Sequence, residues 1–191
     1  MITKYNNFKS EKMSGPREIL PAGGYVGKIM STRVEEYNWG SVLILAYDII
    51  EGEYAGFWKR DFDNNPNEDK KWRGTLRMTI PDDSGSTENG WRQRAFNNMV
   101  ACFEDSNAGF HWDWDEQKLK GKAVGILVRE REWEMNGNTG WTTEASSVTT
   151  VDAIRNGKFR IPKPKKLQNH AETAEAPAAY ASVEDVGELP F

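Results

Sequence analysis

Apolar and polar residues alternate most cleanly over residues 73–80, where Leu76, Met78 and Ile80 point one way and Arg73, Thr75, Arg77 and Thr79 the other. A period of two predicts a strand with one packed face and one cationic, hydrogen-bonding face. Residues 25–34 read similarly, with Val26, Met30 and Val34 on the apolar side and Lys28 and Thr32 between them. Residues 41–50 (SVLILAYDII) form the most apolar run, short and β-branched, which predicts a central buried strand. The turn Tyr37-Asn38-Trp39-Gly40 separates these two, and residues 51–56 turn the chain into 57–62. Residues 63–71 are a polar loop. A helical period then appears: Trp91, Ala95, Met99, Cys102 and Phe103 share a stripe that assigns Trp91 to the core, with Thr87 placed to cap it and Glu88 in the first turn. A short helical piece over 113–119 follows, then a strand over 123–134 with Val124, Ile126 and Val128 inward. Asn136-Gly137 is a hairpin turn, and residues 141–151 are the returning strand.

Three strands, a helix and a long hairpin, in that order, predict a mainly β fold. A five-stranded antiparallel OB-fold barrel with one helix between strands 3 and 4 has this order, and other small mixed β folds share it. The expected organisation is a flexible arm over 1–19, one domain over 20–160, a basic and then Pro/Ala-rich linker over 161–182, and an acidic tip over 183–191. The linker and tip have the composition of a disordered tail.

Composition changes the picture in two places. Eight Trp in a 191-residue chain exceed what one core asks for, and aromatics stack on flat ligands, so base or sugar recognition enters. The net charge of −4 argues against a nucleic-acid binder until it is divided. Residues 171–191 hold five acidic residues and no Lys or Arg, which leaves 25 basic against 24 acidic residues in 1–170, a net +1. Phosphate affinity then has to come from local clustering. A single cysteine, Cys102, reads as a buried reduced thiol, and the N-terminal residues carry no apolar signal region. Together these predict a cytoplasmic protein, and no apolar run is long enough to span a membrane.

Aromatic and basic residues interleave at Phe57-Trp58-Lys59-Arg60, at Lys70-Lys71-Trp72-Arg73 with Arg77, and over 129–133. Single-stranded nucleic acid asks for this mixture, because cations follow phosphates and ring faces take unstacked bases. The candidate contacts are Lys28, Trp58, Arg60, Trp72, Arg73, Arg77, Arg129 and Trp133. Each of these Trp reads equally as core, and stacking platforms serve RNA as well as DNA.

His111-Trp112-Asp113-Trp114-Asp115-Glu116 invites a metal-site reading, but no second ligand cluster supports it, and a helix start capped by Asp113 or Asp115 is favoured. With two His and one Cys no nucleophile–base pair can be argued, so the chain reads as a non-enzyme without a cofactor. The alternatives kept open are a phage nuclease or nucleotide hydrolase using Asp113 and Asp115, and an aromatic carbohydrate-type binding module.

Several stretches carry a family resemblance: residues 20–25 (LPAGGY), 47–52 (YDIIEG), 104–114, 119–125 (LKGKAVG) and the terminal 183–191 (VEDVGELPF). Together they resemble OB-fold single-stranded DNA-binding proteins encoded on prophages and conjugative elements of Gram-positive bacteria. The last nine residues resemble the C-terminal tip of bacterial single-stranded DNA-binding proteins, acidic and closed by an aliphatic residue, Pro and Phe. The resemblance implies a protein that coats single-stranded DNA, acts in replication, recombination and repair, and recruits partners through that tip. By position Phe191 would be the wedge, Pro190 would stiffen its approach and Leu189 would add apolar contact. Glu184, Asp185 and Glu188 would supply charge. Val186 and Gly187 stand where acidic residues usually run, which implies a smaller electrostatic share.

Overall fold

The computed structural model describes residues 18–167, together with Thr3, Tyr5, Asn6 and Phe8. The expectations for the acidic tip and most of the linker lie outside these residues. Five strands, β1 (Gly23–Tyr37), β2 (Gly40–Ile49), β3 (Thr75–Thr79), β4 (Ala123–Met135) and β5 (Asn138–Thr149), form one antiparallel sheet in the order β3-β2-β1-β4-β5. The sheet is open. Its edge strands β3 and β5 approach each other, with Cα pairs inside 8 Å, but do not pair as a ladder.

Among the described residues three α-helices accompany the sheet, where the sequence pattern predicts one, and the short helical piece expected over 113–119 is a 3-10 turn over Glu116–Leu119. The first, α1 (Phe57–Asp63), forms directly after β2 because Asp48 holds its start: the buried carboxylate accepts from the backbone N–H of Ile49 at 2.9 Å and of Trp58 at 3.0 Å. The second, α2 (Thr87–Ser106), lies between β3 and β4 as predicted. Its cap is Ser86, whose Oγ accepts from Asn89 N at 3.1 Å, one residue before the expected Thr87. The last, α3 (Val151–Arg155), follows β5, with Thr150 Oγ1 accepting from Ala153 N.

The core lies between one sheet face and α2. Ile29, Leu43, Leu45, Tyr47, Leu76, Val124, Ile126 and Val128 meet Phe96, Met99, Cys102 and Phe103. Asn107 fastens the end of α2 to β4, donating to the carbonyls of Phe103 and Ala123 at 2.8 Å and accepting from Ala123 N at 3.0 Å. No helix among the described residues is long and apolar enough to cross a membrane.

Two sequence assignments are corrected. Met30 and Val34 do not share the burial of Val26, and the β1–β2 register shifts between Ile29 and Ser31. Ile29, which precedes the shift and lies opposite Val26 by alternation, is the residue that enters the core, while Met30 at the shift and Val34 beyond it are exposed. Trp91 is not core. The buried stripe of α2 runs through Asn89, Phe96, Met99 and Phe103, and 3.6 residues per turn put Trp91 roughly 140° away from Phe96. Its ring is exposed, with the Arg94 guanidinium 4.4 Å above it.

The outer face of the β1–β4 ladder is closed by α3 at glycines. A Cβ on Gly125 would stand 2.7 Å from Ile154 Cγ1 and 2.8 Å from the Thr150 carbonyl oxygen. Gly125→Ala is expected to destabilise by about 1–3 kcal/mol through overpacking. Gly90→Ala, on α2 with nothing within 4 Å, should be neutral or stabilise by up to about 1 kcal/mol. Paired urea unfolding curves check both.

Candidate nucleic-acid interface

Beyond the shared sheet, two hairpin arms extend. In the β1–β4 ladder Gly23 pairs with Val128 and Lys28 with Ala123, so residues 29–37 and 129–135 run past its opposite ends. The β4–β5 arm ends in Asn136-Gly137, with φ of 53° and 76°, the two positive values that a tight two-residue hairpin turn requires. The β1–β2 arm ends at Asn38-Trp39.

Strand alternation sets the chemistry of the first arm. Register places Arg33 of β1, Ile44 of β2 and Arg77 of β3 in one row, and Glu35, Val42 and Thr79 in the next, all on the face opposite the core. Glu35 joins the two arginines: its Oε1 accepts from Arg33 Nε at 2.9 Å and its Oε2 from Arg77 Nη2 at 3.1 Å. Arg77 also donates to Tyr37 Oη at 2.6 Å, and that hydroxyl donates to Glu35. The Tyr37 ring is thereby fixed, and Trp39 stacks on it with centroids 5.1 Å apart and planes 12° apart. Both rings are exposed, Trp39 at 54%. A fixed parallel pair with a free outer face is a stack that a nucleobase can extend, at little ordering cost.

Hydrogen bonds from Tyr37 and Arg33 hold the Glu35 carboxyl down to about 2, against an ordinary 4.5. A carboxyl lowered on folding stabilises the folded arm fully above about pH 4.5, and that contribution is lost as pH falls through about 2. The groups facing it are Arg33 and Tyr37 from β1 and Arg77 from β3. Tyr37–Trp39 stacking should therefore loosen between pH 4.5 and 2, seen as a change in the Trp39 indole NMR signal. Glu35→Gln should remove that transition.

The residues picked from sequence separate into distinct places. Arg77 belongs to the first arm. Trp58, Arg60, Trp72 and Arg73 gather at the α1 corner, and the two rings there point into the protein. Trp58 packs edge-on against Phe57 at 4.9 Å and Tyr47 at 6.3 Å. Trp72 donates from Nε1 to the carbonyls of Tyr47 and Gly74 at 3.1 and 3.2 Å, and lies against Phe62. Arg60 donates to the carbonyl of Ala55 in its own turn, and Arg73 stands 3.8 Å from Asp61. Lys28 is exposed in the middle of β1, in register with Asp48.

Arg129 and Trp133 lie on the second arm. Arg129 makes two bonds to Glu144 Oε1 on β5, at 3.0 and 2.7 Å, and Arg131 approaches the same carboxylate at 3.5 Å. Trp133 covers Gly140, where a Cβ would meet its ring at 2.7 Å. Trp141 is exposed on the paired strand. The basic exit joins this arm: Lys165 N donates to the Glu130 carbonyl and Glu132 N to the Lys165 carbonyl, both at 2.9 Å. It brings Lys165 beside Arg131, with Lys163 and Lys166 near it in sequence.

Arg33, Glu35, Tyr37 and Trp39 were missed because 37–40 reads as a turn. The available signal was alternation at 33, 35 and 37 continuing into an aromatic pair, which marks a strand that outlasts its core. At the other end, Asp113 is paired with Lys118, and Asp115 caps the 3-10 turn over Glu116–Leu119 by accepting from Gln117 N at 3.0 Å. Among the described residues no three His, Cys, Asp or Glu side chains gather as metal ligands. No known protein-family model matches this chain, and no curated protein sequence matches it.

Proposed function

We propose that this protein binds single-stranded DNA without sequence preference, as a non-enzymatic coating protein of the OB type, and recruits replication and recombination partners through residues 183–191. The observation that carries the reading is the exposed Tyr37–Trp39 stack, oriented by Arg77 and Glu35 and flanked by Arg33. Stacked rings beside guanidinium groups suit unpaired bases on a phosphate backbone. The order of strands around α2, and the approach of β3 to β5, support an OB-type barrel. Because Arg33 and Arg77 share Glu35 and Arg129 and Arg131 share Glu144, stacking supplies more of the affinity than charge, and the salt slope is shallow.

A gel-shift panel of single-stranded DNA, double-stranded DNA and RNA of equal length tests the reading. Preference for single strands supports it; equal binding to duplex overturns it. A version lacking residues 183–191 should bind single-stranded DNA as well or better, because a tethered acidic segment competes with phosphate for weakly cationic surfaces. Loss of partner capture is expected in the same version.

A further inference from the structure

One surface is foreign to nucleic acid. Phe96, Val100 and Ala101 of α2 and the loop residues Trp112 and Trp114 line a groove of about 320 Å³. Its three rings lie at mutual centroid distances of 6.1–6.2 Å. Trp114 is 75% exposed and held at φ 68°, a left-handed conformation that L side chains rarely adopt, so the loop presents the ring at a backbone cost. Trp112 Nε1 is buried without a hydrogen-bond partner. The one charged lining group is Glu104, and its contacts with Trp112 N and His111 both fall on Oε1. Asp105, Asp113, Asp115 and Glu116 flank it in sequence. The lining carboxylate of Glu104 disfavours a phosphate backbone here. An aromatic groove with a carboxylate suits an extended proline-containing segment that carries cations.

The chain itself holds such a segment. Residues 160–166 read Arg-Ile-Pro-Lys-Pro-Lys-Lys and form no helix, and only Lys165 makes a β-bridge. At three residues per polyproline turn, Arg160, Lys163 and Lys166 fall on one edge and Ile161 and Pro164 on the next. Ile161 is 56% exposed and Arg160 and Lys163 are exposed beside it. Lys165 is bonded through both its N–H and its carbonyl to β4, which holds this segment at the sheet.

We propose that the α2 groove of one copy receives residues 160–164 of a second copy, with Ile161 and Pro164 on Trp112 and Trp114 and Arg160 or Lys163 at Glu104. The two surfaces are unlike, so copies add one to the next rather than only pairing about a twofold axis. That such contacts order neighbours along a DNA strand rests on the function proposed above; the contact itself does not. It is tested without nucleic acid, so its failure is separate from failure of DNA binding.

The probe is a capped peptide of residues 158–166, titrated into the full chain and followed by the indole NH signals, with sedimentation velocity of the chain over a concentration series. The expected result is saturable movement of the Trp112 and Trp114 signals, weakened by salt, and concentration-dependent association. Trp114→Ala and Glu104→Lys should each reduce association at least ten-fold while circular dichroism stays unchanged. Lys163→Glu should do the same, and the Glu104→Lys/Lys163→Glu pair should restore part of it. A chain that stays monomeric with unmoved indole signals overturns the proposal. Association that survives Trp114→Ala places the contact elsewhere and overturns it equally.

Discussion

A Tyr37→Ala/Trp39→Ala chain is expected to bind oligo-dT at least ten-fold more weakly than the unaltered chain, with its unfolding curve little changed. Base–aromatic stacking is worth about 1–3 kcal/mol per base, and about 1.4 kcal/mol is ten-fold in affinity. The two rings form one platform, so their effects should not simply add. Both rings are exposed, and surface replacements of this kind usually shift stability by no more than about 0.5 kcal/mol. Trp39→Phe should keep most of the affinity, because a ring face remains. Oligo-dT titration of these two variants and the unaltered chain, with urea unfolding alongside, checks the separation of binding from stability.

Trp58→Ala should behave in the opposite way. Trp58 is packed on the core among Tyr47, Phe57 and the backbone at Gly74, where a glycine leaves room for its ring. Removing a large ring packed on the core typically costs about 3 kcal/mol, and for a domain of this size each kcal/mol lowers Tm by roughly 2–4 °C. The expected drop is therefore roughly 6–12 °C, with affinity for oligo-dT unchanged at temperatures where the variant is folded. A Tm shift below about 2 °C together with lost binding would return Trp58 to the DNA-contact set. The contrast between Trp58 and Trp39 separates the aromatics that build the domain from those it displays.

Much of the fold was legible because period dominates where one face is packed. Leu76 and Met78 against Arg77 located β3, the apolar run at 42–49 located the doubly covered β2, and Asn136-Gly137 located the second hairpin. The misreadings have local physical causes. A bulge at Met30 changes the phase of β1, which no period-two pattern reveals. Helix α1 is seven residues long and depends on Asp48, distant by ten residues from the backbone N–H it accepts from, so it has no helical stripe of its own. Trp91 is large and apolar yet sits off the stripe, because its contact is the Arg94 guanidinium rather than the core.

The candidate site was legible in kind but not in place. Aromatic–basic interleaving directed attention to the α1 corner, where Trp58 and Trp72 are spent on packing and on backbone carbonyls. Composition cannot distinguish a ring held inward from one held outward. The displayed pair is set by cross-strand register: Arg77 reaches Tyr37 from β3, forty residues away in sequence. Arg77 was the one sequence-picked residue to fall within this cluster, and it does so through that contact.

The most direct test is a titration of the unaltered chain with oligo-dT, followed by tryptophan emission at low salt and then under rising salt. The expected result is saturable quenching that is lost in the Tyr37→Ala/Trp39→Ala chain and weakens, with a shallow slope, as salt rises. Absence of quenching, or quenching untouched by removal of that pair, would contradict it.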